Sequence, residues 1–119
     1  MKIDVCRKKI SHLTVTASEL DYIEGSLTLD EEIIDAADLF AYEKVLVINL
    51  QSGDRFETYL IKGAPGSGTV CLNGGTARLG AVGDELIVLS FAQVSPDEAE
   101  AVEPDIFRAD DQNRVSRVR

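Results

Sequence analysis

At 119 residues, 45% apolar and 28% charged, the chain is long enough for one globular domain with a single hydrophobic core. Its 12 basic residues against 21 acidic ones leave a net charge of −9, which argues against a nucleic-acid binder, since that needs a concentrated basic surface. The longest apolar runs, such as Val45 to Ile48 and Leu86 to Leu89, are too short to cross a bilayer, and the N-terminus lacks a secretory apolar stretch, so a cytoplasmic protein without membrane contact is expected.

Residues 10–16 are rich in β-branched side chains and read as a strand. A Gly25-Ser26 turn leads into a second short strand, Leu27-Thr28-Leu29. Asp30 then looks like an N-cap. Glu31 and Glu32 suit the positive end of a helix dipole, and Ile33, Ile34, Ala37 and Leu39 form an apolar stripe over two to three turns. Residues 44–51 and 54–62 read as a hairpin joined around Ser52-Gly53, with Arg55, Glu57 and Tyr59 on one face of its second strand.

Gly63 to Gly68 is a loop by composition, followed by a strand from Thr69 to Leu72 and a turn at Asn73-Gly74-Gly75. Glu85 to Val94 reads as a central strand because it is apolar without clean alternation. Ser95-Pro96-Asp97-Glu98 is a capping box opening a short helix over 96–101. From Pro104 the chain turns polar, so the expectation is a domain over 1–105 and a partly flexible polar tail over 106–119. The sum is a mainly β domain with two short helices, for which a small barrel is the natural closure because it removes strand edges.

The chemistry-bearing residues are few. Cys6 and Cys71 show no CxxC spacing and there is one histidine, His12, so no Cys/His zinc site is expected and no metal is called for. Both thiols read as small packing groups. An acidic chain must gather its own positive groups to hold an anionic ligand, and Arg7-Lys8-Lys9 and Arg55 are the candidates. Gly-Ser occurs at 25–26 and 66–67. The second is explained by a plain turn, whereas a strained Gly25 before an apolar strand would expose its carbonyl to the next hydroxyl.

Several separated motifs agree in order with one family. Lys9-Ile10, Thr14-Val15-Thr16, Leu20-Asp21-Tyr22 and Gly25-Ser26-Leu27-Thr28-Leu29-Asp30 resemble the N-terminal signature of the pyruvoyl-dependent aspartate 1-decarboxylases. The likeness continues through Gly53 to Tyr59, Gly66 to Gly74 and Val82-Gly83-Asp84. The resemblance implies a double-psi β-barrel and a homotetramer with active sites between neighbouring subunits. Maturation in this family is either spontaneous or aided by an activating partner.

It implies self-cleavage at Gly25-Ser26, with Thr58 assisting through the Gly25 carbonyl and Ser26 becoming a pyruvoyl cofactor. That ketone would form an imine with L-aspartate and release carbon dioxide to give β-alanine, a pantothenate precursor. By the same resemblance Tyr59 donates a proton to the carbanion, Arg55 clamps a substrate carboxylate, and Lys9 adds a second positive group. Tyr22 would line the pocket, and Asn73 with Gly74 and Gly75 would hold substrate and pyruvoyl.

The sequence departs from the pattern in three places. Two residues, Ile23 and Glu24, separate Tyr22 from Gly25 where the family has one. Ser11 stands where the family has histidine, with His12 next to it. Asn73-Gly74-Gly75-Thr76 replaces Asn-Gly-Ala-Ala. These departures motivate an alternative reading, an uncut barrel of the same family acting as a binding or regulatory subunit.

Overall fold

The computed structural model describes all of residues 1–119. It is mainly β: β1 (Ile3–Thr14), β2 (Ala17–Glu19), β3 (Ser26–Asp30), β4 (Lys44–Asn49), β5 (Arg55–Gly63), β6 (Val70–Asn73), β7 (Glu85–Val94), β8 (Asp105–Ala109) and β9 (Val115–Arg117). The helices are α1 (Glu31–Ala36), α2 (Pro96–Ala99) and a 3-10 helix at Gly74–Leu79. No helix is long and apolar enough to cross a membrane.

The strands form one mixed sheet in the order β2-β6-β3-β5-β4-β7-β1-β8-β9. Because β1 runs on into β2, the chain itself joins two distant places in that order, consistent with a double-psi β-barrel. Alternation fills the interior. Leu86 and Val88 of β7 meet Val45 and Val47 of β4, Leu27 and Leu29 of β3, and Leu60 of β5 in a single core. β7 is central, between β4 and β1.

Two local signals act as expected. The Ser95 hydroxyl accepts from the Glu98 amide and the Glu98 carboxylate accepts from the Ser95 amide, so the capping box closes, although α2 is only four residues long. Asp30 caps α1 by accepting from the Glu32 amide at 2.8 Å. The helix is shorter than its stripe: Asp38 turns to φ 54, yet Ala37 and Leu39 still reach the core.

Asp30 also accepts from the Gly66 and Gly68 amides at 3.0 and 2.8 Å, tying the 63–68 loop to the helix start. Burial opposes its charge, but the amides of Gly68, Glu32 and Gly66, with Arg114 nearby, hold its pKa below the usual carboxylate range. A lowered folded pKa contributes stability above the unfolded value, near pH 4, and loses it as pH falls through the folded value. Asp30→Asn should therefore lower the melting temperature at pH 7, with the difference from wild type shrinking as pH drops below about 4. A difference independent of pH would show that the charge contributes nothing.

Three sequence expectations change. The first strand begins at Ile3 and carries register shifts between Cys6 and Lys8 and between Ile10 and Leu13. Ser11 and His12 fall in the second bulge, with His12 at φ 65, so the displaced histidine is absorbed there without turning Leu13 out of the core. The turn after Asn73 is a 3-10 helix.

The division at residue 105 and the polar tail are overturned. β8 pairs parallel with β1, β9 pairs with β8, and Phe107 and Ala109 are buried. The polar residues there are structural. Asp105 takes the buried Lys8 ammonium at 2.6 Å, and Asn113 bonds Thr14 on both backbone atoms and the Gly68 carbonyl, stapling β1 to the 63–68 loop.

Candidate active site

Register builds the site around the Gly25–Ser26 peptide. β3 runs parallel to β5 with Leu27 beside Leu60, and antiparallel to β6 with Ser26 beside Asn73. Thr58 and Tyr59 are thereby carried to one side of the peptide and Asn73 to the other. The Thr58 hydroxyl donates to the Gly25 carbonyl at 3.2 Å. Ser26 is fully buried. Its Oγ accepts from the Asn73 amide at 3.0 Å and donates to the Glu24 carbonyl at 3.2 Å.

Asn73 is itself oriented. Its Oδ1 accepts from the Cys71 thiol at 3.2 Å, which leaves Nδ2 to face Ser26 and Thr28. Burial pushes the Cys71 thiol pKa up, with a further contribution from Glu19, so the group stays a donor. From the 3-10 helix, Thr76 donates to the carbonyls of Ser26 at 3.1 Å and Asn73 at 2.7 Å.

Gly25 does not have a positive φ; Gly74 does, at 61°. A Cβ on Gly74 would lie 3.0 Å from the Tyr22 carbonyl oxygen and 3.1 Å from both Cα and N of Gly25. The backbone conformation that glycine permits is thus needed opposite the peptide rather than in it. A Cβ at Gly75 would meet nothing within 4 Å, so the family's alanine fits there and its loss costs no contact.

The extra residue before Gly25 is taken up outside the strand. Ile23 is 99% exposed, and Glu24 turns back to accept from the Tyr59 hydroxyl at 3.0 Å. An open cleft of about 620 Å³ adjoins this contact, lined by Glu24, Tyr42, Lys44, Glu57, Thr58 and Tyr59. Tyr42 packs beside Tyr59 with ring centroids 6.2 Å apart. Tyr22 is half exposed near the same rings.

The remaining candidates lie apart. Arg55 is exposed at the start of β5, four residues and so about 13 Å from Tyr59 along the strand. Lys9 sits in β1 between Leu89 and Ile106. Neither has an ion-pair partner in the chain. Glu57 pairs with Lys44 at 2.7 Å rather than with Arg55. Glu24, Tyr42, Lys44, Cys71 and Thr76 were not among the candidates. Glu24 and Thr76 carry a signal, each as part of a departure from the family pattern.

Comparison with known proteins identifies the family. The family model described as aspartate decarboxylase matches residues 1–116. Proteins named aspartate 1-decarboxylase are similar over nearly the whole chain. The one from Salinibacter ruber is 48% identical, covering 100% of this chain and 81% of its own. That from Parabacteroides distasonis is 49% identical over 92% of this chain and 94% of its own. That from Leptospira biflexa is 48% identical over 98% and 99%. With a full-length family match laid over a serine, threonine and asparagine gathered at one peptide, the chain belongs to the aspartate decarboxylase family.

Proposed function

We propose that the protein is a self-processing aspartate 1-decarboxylase. It cuts its backbone between Gly25 and Ser26, converts Ser26 to a pyruvoyl group, and removes the 1-carboxyl of L-aspartate to give β-alanine and carbon dioxide. The observation that carries the reading is the Thr58 hydrogen bond to the Gly25 carbonyl beside a buried Ser26 hydroxyl.

Attack of Ser26 Oγ on the Gly25 carbonyl carbon closes a five-membered ring, so reach is no obstacle and orientation decides the rate. Charge develops on the Gly25 oxygen, where Thr58 already donates. The C–N bond breaks, the nitrogen takes the proton, and an ester joins Gly25 to Ser26 Oγ. Loss of the Ser26 α-proton with cleavage of Cβ–Oγ frees Gly25 as a carboxylate. Water then releases the nitrogen as ammonia and leaves a ketone at the head of residues 26–119.

That ketone is the cofactor, and it supplies an electron-accepting carbonyl that joins the substrate amine and takes up the electron pair as carbon dioxide leaves. Asn73 and Thr76 hold residue 26 in place, Gly74 lets the turn approach Gly25, the amides at Gly74 and Gly75 hold substrate, and Tyr22 borders the cleft. Tyr59 donates the proton that replaces the lost carboxyl. Within one chain the cleft presents two carboxylates, Glu24 and Glu57, and a lysine already paired, which is a poor host for a dicarboxylate. Arg55 and Lys9, unpaired and distant, serve the cleft of a neighbouring copy in the homotetramer with shared sites that the family resemblance implies. The free thiols Cys6 and Cys71 favour the reducing cytoplasm.

The test is intact mass after prolonged warming of purified protein. Two fragments meeting between Gly25 and Ser26 are expected, with carbon dioxide released faster from L-aspartate than from L-glutamate. Full-length chain alone would overturn the reading in favour of an uncut barrel.

A further inference from the structure

We propose that Glu24 is a positioning residue for catalysis, holding the Tyr59 phenol protonated and orienting its O–H for transfer to the substrate. The proposal rests on Tyr59 being the proton donor in the decarboxylation above, and it assigns a role to one of the two residues in the widened Tyr22–Gly25 spacing. The geometry is specific. Glu24 Oε2 accepts the Tyr59 hydroxyl hydrogen at 3.0 Å, and both residues line the cleft that adjoins the Gly25–Ser26 peptide.

A proton donor must be loaded when the carbanion forms. A phenolate next to an ionised carboxylate is disfavoured by like-charge repulsion and by loss of the hydrogen bond. Delivery then needs only rotation of the O–H about the phenol C–O bond, with no heavy atom moving.

The other groups around the phenol do not cancel this effect. Lys44, opposite Tyr59 on β4, would favour the phenolate, but its ammonium is engaged by Glu57 at 2.7 Å. Glu57 adds negative charge, as does the Gly25 carboxylate that cleavage leaves at Thr58, and Tyr42 and Tyr22 are the remaining titratable neighbours. Partial burial first, then the Glu24 hydrogen bond and charge, with smaller contributions from Tyr42 and Tyr22, push the Tyr59 pKa above its ordinary value.

Glu24→Gln removes the charge while keeping an acceptor oxygen of the same reach. Its effect is expected as a downward move of roughly one pH unit in the alkaline limb of kcat/KM, with Glu24→Asp retaining most of the wild-type limb. A merely structural role would lower the rate at every pH and leave the limb in place, which would overturn the proposal. Ultraviolet titration of tyrosine in uncut Ser26→Ala protein decides the contact without any activity. Adding Glu24→Gln to that background should shift one tyrosine to lower pH, and three unmoved tyrosines would overturn the assignment even if the decarboxylase reading stands. If aspartate proves not to be a substrate, this titration still reads the Glu24–Tyr59 pair by itself.

Discussion

Ser26→Ala is expected to yield one uncut chain with no decarboxylase activity and a fold indistinguishable from wild type. The hydroxyl oxygen is the only nucleophile that closes the ring on the Gly25 carbonyl, and alanine has no β-oxygen to leave, so neither the cut nor the ketone can form. The structural cost is small. Asn73 loses one acceptor but keeps Thr28 Oγ1 at 2.8 Å, and the Thr76 bond to the Ser26 carbonyl is a backbone contact that alanine preserves. A stability change of about 1 kcal/mol is the expected scale. Intact mass, thermal melting and carbon dioxide release check the three statements separately. An alanine variant that still splits at this bond would remove Ser26 from the mechanism.

Gly74→Ala should have the second largest effect, and through a different cause. At φ 61° an alanine is strained by about 1–2 kcal/mol before any contact is counted. Its methyl would then press on the Tyr22 carbonyl and on Cα and N of Gly25, at 3.0–3.1 Å. These are backbone atoms with no rotamer to yield, so either the 3-10 helix lifts away or the Gly25 peptide shifts. Both outcomes loosen the Thr58 contact. Self-cleavage is expected to slow by at least tenfold, with melting lowered by several degrees. Gly75→Ala, whose Cβ meets nothing, is the matched control. Equal cleavage rates for the two variants would show that the approach of Gly74 to Gly25 is irrelevant.

What could be read from the residues was what their near neighbours decide. Asp30 as a cap, the β4–β5 hairpin and the capping box at Ser95 depend on residues within a few positions, and all three stand. Asp30's hold on Gly66 and Gly68 was invisible because its partners lie in a loop that no local pattern connects to it. The last strands were hidden for a similar reason: Phe107 and Ala109 alternate with polar residues, and their burial comes from β1, across nearly the whole sequence.

For the site, the residue types were legible through family likeness, whereas the contacts depend on register. Pairing Leu27 with Leu60 and Ser26 with Asn73 brings Thr58 and Asn73 to one peptide, and a shift of one residue would undo both. Glu24 illustrates the limit most clearly. With one residue added before the strand, its neighbours can land on either face, and only the folded chain shows Ile23 in solvent and Glu24 turned toward Tyr59.

The placement of β1 has a consequence for the mature molecule. That strand is bonded along both edges, to β7 on one side and β8 on the other, and it belongs entirely to the piece preceding Ser26. A nicked protein would therefore hold its shorter peptide as a captive, with no exit that leaves the sheet intact. Denaturation would release it, and recovery would then become an encounter between two separate molecules, slowing on dilution. Maturation would in this way convert a chain that folds alone into one whose native state is readily kept but poorly regained.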